Sequence, residues 1–503
     1  MKAFLAKFFA KYIVSKEQKW INNPLEIQDK IFKELIASAK ETKFGKDHNF
    51  STITTYEDFK KQVPVRDYEG LKDYFDAIVA GENDILWPGK PLYLAKTSGT
   101  TSGTKYIPLT KESIPNHIHS ARNALLFYIN ETQNSSFVNG KMIFLQGSPT
   151  LESKNGLKFG RLSGISAHFV PNYLQKNRLP SQETNIIEDW ETKIDKIVEE
   201  TVQADMTLIS GIPPWLIMYF ERLIKVSGKD NIQSIFKNFQ LMVTGGVNYE
   251  PYREKINQLV GKKVDCIQTY PASEGFIAYQ NSQKEDDLLL LLNNGMFYEF
   301  IPVEEFFDEE PTRISITDVE IGKDYVIILN TNAGLWGYNI GDTVRFTSKK
   351  PYKIVVSGRI KHYTSAFGEH VIGHEVEQAL QKTIEKYPAT INEFTVSPQV
   401  NPADGLPFHE WLVEFDTKPN NLIEFNAELD KQMRQQNSYY NDLISGNILR
   451  PLIISEVVKD GFQTYMKSIG KLGGQNKVPR LSNNREIADI FYQLNLIYSS
   501  KKI

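Results

Sequence analysis

The chain has 503 residues, 41% apolar and 24% charged, which marks a globular protein too long for one ordinary core, so at least two domains are expected. Its 58 Lys and Arg against 61 Asp and Glu leave a formal charge of −3, which excludes a global basic field for nucleic acid. Cys266 is the single cysteine, so there is no internal disulfide framework; a reducing, cytoplasmic compartment is the expectation.

The first fourteen residues carry Phe4, Leu5, Phe8, Phe9 and Tyr12 on one helical face. Lys7 and Lys11 interrupt what would otherwise resemble a signal peptide. Packing of this face onto the protein's own body is expected, with contact to a membrane surface as the alternative. No apolar run approaches a membrane span, so no membrane partner is expected. Residues 1–45 read as helical. Pro91-Leu-Tyr-Leu-Ala95 and Tyr106-Ile-Pro-Leu109 read as strands, and Thr110 as the N-cap of a helix through Asn130. Met142–Leu145, Leu241–Thr244 and Val264–Tyr270 read as buried strands, with helices over 186–203 and 214–227 between the first and second of them. Strands alternating with helices predict α/β layers with sites at the strand ends.

Beyond residue 285 the pattern becomes β-rich, with strands at Met296–Ile301, Tyr325–Leu329, Thr343–Phe346 and Ile354–Ser357. Helix-like 373–386 and 421–435 then flank strand-like Glu393–Val396 and Glu410–Phe415. The expected architecture is a large α/β N-terminal domain with a β-rich subregion, residues 1–355, and a small mobile α+β domain, residues 356–503. No internal repeat is evident. Nothing resembles a coiled coil, and a monomer is the expectation.

Between the first two strands lies Thr97-Ser-Gly-Thr-Thr-Ser-Gly-Thr-Lys105. Glycines at Gly99 and Gly103 let the backbone turn its N–H groups inward, and the hydroxyls of Thr97, Ser98, Thr100 and Thr101 add donors. Such a loop can wrap a multiply charged anion, most plausibly a nucleotide triphosphate. Its spacing is not that of the Walker A loop, and it joins two strands rather than opening a helix. A flexible surface turn is the other reading.

Three further clusters add different parts of a nucleotide site. Tyr270-Pro-Ala272-Ser273-Glu274 follows a strand; its ring can stack on a purine and its carboxylate can hold Mg²⁺ against phosphate oxygens, or the glutamate is simply solvated. Asp342, three residues before Arg345, can accept both ribose hydroxyls, or sits in a Gly341-Asp342 hairpin turn with a local Asp–Arg pair. Lys477, near Gly473-Gly474, can bring a point charge to a phosphate, or is a surface lysine. No Cys/His grouping has zinc spacing; His117 and His119 do not share a helical face.

Taken in order, these segments resemble the acyl acid amido synthetases of the Gretchen Hagen Three family, within the adenylate-forming superfamily that includes firefly luciferase and acyl-CoA ligases. The hydroxyl-glycine loop is similar to the family's first motif, Tyr270–Glu274 to its second, and Gly334–Asp342 with Arg345 to its third. Gly295–Val303 and Lys477-Val-Pro-Arg480 also match, so the resemblance spans roughly residues 90–480. It implies a two-step reaction with ATP and Mg²⁺. A carboxylic acid attacks the α-phosphate, giving an acyl adenylate and pyrophosphate, and an amine, typically of an amino acid, then displaces AMP. It further implies that Thr97, Ser98, Gly99, Thr100, Thr101 and Lys105 cradle the phosphates and that Glu274 holds the metal. Tyr270, Ala272, Ser273, Gly245 and Gly246 would line the adenine slot, Asp342 and Arg345 would serve the ribose side, and Arg359 and Lys477 would come from the hinge and the small domain.

Two other readings stand beside this one, thioester formation with coenzyme A or a carrier thiol and a degenerate nucleotide-binding protein. His370, inside Phe367-Gly-Glu-His370, stands where plant members carry a lysine. The segments expected to form the acyl pocket, Arg122–Tyr128, Ser163–His168 and Ile212–Tyr219, carry no plant-hormone pattern.

Overall fold

The computed structural model describes residues 2–98, 104–169, 176–246, 248–360, 363–364, 367, 371–473, 476–482 and 484–498. The chain divides into two compact units. One comprises Met1–Val247 with Val260–Val355, the other Asn248–Leu259 with Val356–Ile503. Residues 248–259 thus group with the C-terminal residues rather than with their sequence neighbours.

In the first unit, β1 (Tyr93–Ser98) and β2 (Thr104–Leu109) form an antiparallel pair. β3 (Lys141–Phe144) belongs to the large sheet, whereas β4 (Glu152–Lys154) and β5 (Leu157–Gly160) join the first pair in a four-stranded sheet, order β2-β1-β5-β4. β6 (Arg178–Leu179), β7 (Met206–Ser210), β8 (Leu241–Gly245) and β9 (Asp265–Pro271) run parallel with β3 in the order β6-β3-β7-β8-β9. Their interiors are nearly continuous apolar runs, as strands covered on both faces require. The helix Trp190–Thr201 precedes β7, and Pro213–Ser227 links β7 to β8.

The sheet continues antiparallel through β10 (Phe276–Tyr279), β11 (Leu288–Leu290), β12 (Met296–Pro302), β13 (Ile314–Ser315), β14 (Asp324–Thr331), β15 (Tyr338–Lys349) and β16 (Tyr352–Arg359). The order outward from β9 is β10-β11-β16-β15-β14-β12-β13, completing twelve strands. Every residue of β12 and all but the first of β14 are buried, so hydrophobic contact closes the sheet on the side away from its ladder.

The N-terminal region is three helices rather than one, Lys2–Ile21, Pro24–Ala39 and Lys43–Asp47. Pro24 stops the first and starts the second, because a proline lacks the N–H that a helix interior needs but a first turn does not. Leu35, Phe44, Phe59, Phe75 and Trp336 meet in one core cluster with the β1–β2 pair. The outward face of the first helix departs from expectation. Phe4, Leu5, Phe8, Phe9 and Tyr12 are not buried against the body; all five are exposed, and Phe9 meets the Arg122 guanidinium at 5.8 Å from its ring centre. The helix buries Ala10, Ile13, Trp20 and Ile21 instead. Thr110 is not a helix N-cap either. Its hydroxyl caps a tight turn by accepting from the Ser113 N–H at 3.1 Å, and the helix runs Ile114–Thr132. The helix expected from 186 starts at Trp190, where Asp189 accepts from the Thr192 N–H at 2.9 Å.

In the second unit, β17 (Tyr363–Thr364) pairs with β18 (Val371–Ile372), and β19 (Thr390–Gln399), β20 (Phe408–Thr417) and β21 (Ile453–Glu456) form a three-stranded sheet. Helices Gly373–Lys386 and Leu422–Gln436 share its core through Leu380, Phe394, Trp411, Phe425 and Leu429. The helix Glu250–Val260 contributes Tyr252, whose hydroxyl donates to the Glu393 carboxylate at 3.1 Å, and Lys255, which pairs with Asp416 at 2.7 Å. Asn248 donates to Glu377 at 2.7 Å. Arg480 gathers this network, reaching Glu377, Glu393 and the Tyr252 oxygen together. Burial pushes the Glu377 carboxyl above the usual range, and Arg480 opposes that shift.

Arg480→Met would leave two carboxylates, Glu377 and Glu393, each only 12% exposed, without their cation. We expect a loss of roughly 3–5 kcal/mol in the unfolding free energy of this unit, read by urea denaturation. A loss below about 1 kcal/mol would mean that Arg480 does not hold the network.

Candidate functional site

The hydroxyl-glycine segment is carried by a hairpin whose strands are set by ordinary β-formers, Tyr93, Leu94, Tyr106 and Ile107. Thr97 pairs with Lys105 and Ser98 with Thr104 across the ladder. The segment thus joins two strands, as its flanks predict. Gly99, Thr100 and Thr101 lie outside the described residues. The Lys105 ammonium sits 5.5 Å from the centre of the Tyr68 ring. That ring stacks on Phe75 at 4.6 Å, and its hydroxyl accepts from the Tyr106 N–H at 3.1 Å. Lys105 therefore leans on an aromatic platform that is itself clamped from two sides, which limits the positions its charge can take.

Gly245 ends β8 where β9 comes very close. A Cβ at Gly245 would stand 2.5 Å from the Thr269 hydroxyl oxygen and 2.7 Å from the Thr269 carbonyl oxygen. The residue is small because two strands converge there, a packing reason that operates whether or not a ligand lies above. Gly246 follows with φ +84°. From β9 the chain enters a tight turn, in which the Ala272 N–H donates to the Gly275 carbonyl at 2.9 Å and the Gly275 N–H to the Ala272 carbonyl at 3.3 Å. Ser273 and Glu274 occupy its half-buried tip.

This turn is tied to the other segments through short bridges. A Cβ at Gly275 would lie 2.3 Å from the Met296 sulfur, so the turn rests on the start of β12. The Asn332 N–H donates to the Gly295 carbonyl at 2.9 Å, and the Thr110 hydroxyl donates to the Asn332 carbonyl at 2.8 Å. Asn116 donates to the Asn294 carbonyl at 2.8 Å. The end of β2, the Glu274 turn and the loop after β14 thus hold one another within the first unit.

Asp342 lies inside β15, not in a hairpin turn. Between the pairs Val326–Thr343 and Ile328–Asn339, the three residues Ile340, Gly341 and Asp342 stand opposite Ile327 alone. Gly341 takes φ +85°, a conformation glycine adopts without strain. The bulge re-aims Asp342, whose Oδ2 accepts from the Tyr270 hydroxyl at 2.6 Å. Two residues of the second and third motifs, 72 apart in sequence, therefore touch. The Tyr270 hydroxyl, to which the sequence reading gave no role, orients the carboxylate. Arg345 does not pair with Asp342. It forms an ion pair with Asp324 on the adjacent strand, its Nε donating at 3.1 Å.

Arg359, at the end of β16, and Lys477 belong to the second unit, and both are exposed. His370 lies outside the described residues. His117 is fully buried and burial pulls its pKa down to about 4, so it stays neutral. Among the described residues no three or more His, Cys, Asp or Glu side chains group as a metal site.

Two cations near the carboxyl end of β3 escaped the sequence reading. Lys193 is buried and donates to the Asn185 carbonyl at 2.6 Å. Burial, helped by the like charge of Arg161, lowers its pKa to about 8. Arg161 in turn packs on Gly147, just past β3, and burial lowers its pKa too. In sequence Lys193 stands three residues after Trp190 and four before Ile197, the spacing of one helical face, and that periodicity is the signal that separates it from Glu191, Asp195 and Lys196.

Three descriptions of one family match the chain: the GH3 family N-terminal domain over residues 14–177, its central domain over 289–359 and its C-terminal domain over 374–486. The chain is similar to an indole-3-acetic acid-amido synthetase, GH3.15, of Arabidopsis thaliana, at 24% identity covering 96% of this chain and 94% of that one. It is also similar to the jasmonoyl-L-amino acid synthetase JAR4 of Nicotiana attenuata, at 22% identity over 67% of this chain and 69% of that one. Among solved structures, the acyl acid amido synthetase AtGH3.15 in complex with 2,4-DB superposes with a TM-score of 0.79, at 18% identity over 98% of each chain. A 2-hydroxyisobutyryl-CoA ligase in the postadenylation state superposes with a TM-score of 0.59, at 12% identity over 93% of this chain and 91% of that one. The fold is that of the adenylate-forming enzymes, in agreement with the sequence expectation.

The Lys193 pKa lies below the usual lysine value of 10.5, so between the two values the unfolded chain binds more protons than the folded one. Stability then rises with pH across that window. Relative to Lys193→Met, the wild-type protein should gain unfolding free energy as pH is raised from about 7 to about 9.5, measured by urea denaturation. A constant difference would show that the ammonium is not desolvated.

Proposed function

Because the chain belongs to the GH3 family, we propose that it is an ATP-dependent acyl acid amido synthetase. A carboxylic acid and ATP would give an acyl adenylate and pyrophosphate. The amine of an amino acid would then attack the acyl carbon, releasing AMP and a proton and leaving an amide. The relatives named indole-3-acetic acid-amido synthetase and jasmonoyl-L-amino acid synthetase support an organic acid as the first substrate and, for the second name, an amino acid as the acceptor.

The observation that carries the site is the Tyr270–Asp342 hydrogen bond. A carboxylate fixed in orientation by such a donor can accept from two adjacent hydroxyls, which is what a ribose presents. Lys105 would screen the repulsion between an incoming carboxylate and a triphosphate, and Thr97, its partner across the ladder, would add a donor on the same face. The donor set also suits Mg²⁺ more than a metal held by a protein cage. Glu274, half-buried at the tip of its turn, would offer one carboxylate, and phosphate and water oxygens would complete the shell. The ion would neutralise charge on the phosphates. Arg359 and Lys477 would act from the second unit, and its movement would exchange the geometries for adenylation and transfer.

Asp342→Ala should weaken ATP binding by about tenfold or more in isothermal titration, because the ribose loses a charged acceptor. In the wild type 2′-deoxy-ATP should bind more weakly than ATP, and Asp342→Ala should erase that difference. Persistent discrimination in the variant would remove Asp342 from the ribose site.

Acid-dependent pyrophosphate release, screened over diverse carboxylic acids, should identify the substrate. Mass spectrometry with mixed amino acids should then show amide. Glu274→Gln should lower the adenylation rate and its dependence on Mg²⁺ more than it lowers ATP affinity. Thioester formed from coenzyme A without amide would replace this reading by a thioester ligase. No pyrophosphate with any acid would reduce it to nucleotide binding alone.

A further inference from the structure

The helix Lys2–Ile21 has two apolar faces. The inner face, with Ala10, Ile13, Trp20 and Ile21, is buried, and the Ala3 carbonyl accepts from the Ser135 hydroxyl at 2.8 Å. The outer face carries Phe4, Leu5, Phe8, Phe9 and Tyr12, exposed by 63%, 58%, 60%, 44% and 65%. Their spacing (i, i+1, i+4, i+5, i+8) makes a continuous stripe about 12 Å long on one side of the helix. Phe4 and Phe8 pack edge to face with centroids 4.8 Å apart, so the stripe is a single surface and not scattered side chains. Isolated exposed apolar residues need no explanation, but five adjoining ones, four of them aromatic, do.

Charge narrows the choice of partner. Residues 2–16 contain Lys2, Lys7, Lys11 and Lys16 and no acidic residue, a local charge of +4 in a protein whose total is −3. Lys2, Lys11, Lys16 and Lys19 are exposed. Glu17, the first acid of the helix, is engaged by the Trp20 indole N–H at 2.7 Å. Aromatic rings bordered by lysines match the boundary of an anionic bilayer, where rings seat at headgroup depth and ammonium groups meet lipid phosphates. A second copy of the same face would instead bring like charges together. No helix among the described residues is long and apolar enough to cross a membrane, so the contact is one that lies on the surface.

We propose that the exposed Phe4–Tyr12 face of the first helix, with its lysine border, docks this protein reversibly on an anionic lipid surface.

The test is flotation of the full-length protein with vesicles of phosphatidylcholine alone or containing phosphatidylglycerol. Wild type should float with the anionic vesicles only, and less so as salt is raised, since screening weakens the lysine contribution. Phe4→Ser/Phe8→Ser should abolish flotation with an unchanged melting temperature, because both side chains are already in solvent. Lys2→Glu/Lys11→Glu/Lys16→Glu should lower vesicle partitioning by at least about tenfold. A Phe8→Trp variant should show a blue-shifted emission on anionic vesicles. Absence of wild-type flotation would overturn the proposal, as would undiminished flotation of Phe4→Ser/Phe8→Ser. A concentration-dependent dimer lost in that variant, without vesicle binding, would assign the face to a second copy instead.

Discussion

Glu299 is completely buried, and its charge is the constraint around which the first unit is arranged. A buried carboxylate is tolerable only if it is paired and its remaining lone pairs are filled. Arg313 donates to both of its oxygens, at 2.8 and 2.9 Å, while the same guanidinium reaches the Val63 carbonyl at 2.6 Å. The Tyr56 hydroxyl donates at 3.0 Å and Asn330 at 2.9 Å. Burial and the adjacent Glu299 charge hold the Tyr56 phenol far above its usual pKa, so it remains a donor. Four chain segments thus meet on one side chain. Removal of Arg313 would leave the buried carboxylate without its counter-charge, whereas removal of Tyr56 or Asn330 would leave one of its lone pairs unfilled.

That network reaches the candidate site through Asn330. Its carbonyl oxygen accepts from the Gly337 N–H at 2.7 Å, which fixes the chain just before β15 begins. The Arg66 N–H then donates to the Gly337 carbonyl and the Asn339 N–H to the Arg66 carbonyl, at 2.9 and 2.8 Å. Trp336 completes the anchor by donating from its indole to the Leu86 carbonyl at 3.0 Å. With the entry to β15 held this firmly, the extra residues of the Ile340–Asp342 bulge have one way to go, and Asp342 arrives at Tyr270. The aromatic and glycine residues between Gly334 and Asp342 are therefore largely architectural. They place one carboxylate, Asp342, against the Tyr270 hydroxyl.

Sequence reading recovered elements whose cause is local. The hairpin around the hydroxyl-glycine loop, the apolar parallel strands and the change to β-rich structure after residue 285 follow from periodicity and strand formers. The family's motifs also announced the fold. It failed where the cause is distant. Gly341-Asp342 looks like a turn in one dimension, yet the ladder with β14 uses it as a bulge. Asp324, 21 residues upstream, claims Arg345 before Asp342 can. The helix Glu250–Val260 follows β8 and precedes β9 like any crossover, but Tyr252 and Lys255 find their partners at Glu393 and Asp416, more than a hundred residues later. The first helix shows the opposite error. Its outer face has the pattern of a core face, and only the structure reveals that a second face does the packing.

Arg480 bears on how Lys477 can act. The tail segment does not hang free of the second unit. The Arg480 carbonyl accepts from the Val396 N–H at 3.0 Å, the Pro479 carbonyl accepts from the Thr395 hydroxyl at 2.6 Å, and the Ser482 N–H returns to the Val396 carbonyl at 2.8 Å. The guanidinium adds its ties to Glu377 and Glu393. Lys477 is separated from this clamp by Val478 alone, so its backbone moves with β19. If Lys477 serves the chemistry proposed above, delivering its charge and withdrawing it between the two half-reactions is a rigid-body task of the unit and not of a loose loop. A variant that weakens the Arg480 clamp would then blur both geometries at once, since the lysine would no longer report the position of the unit that carries it.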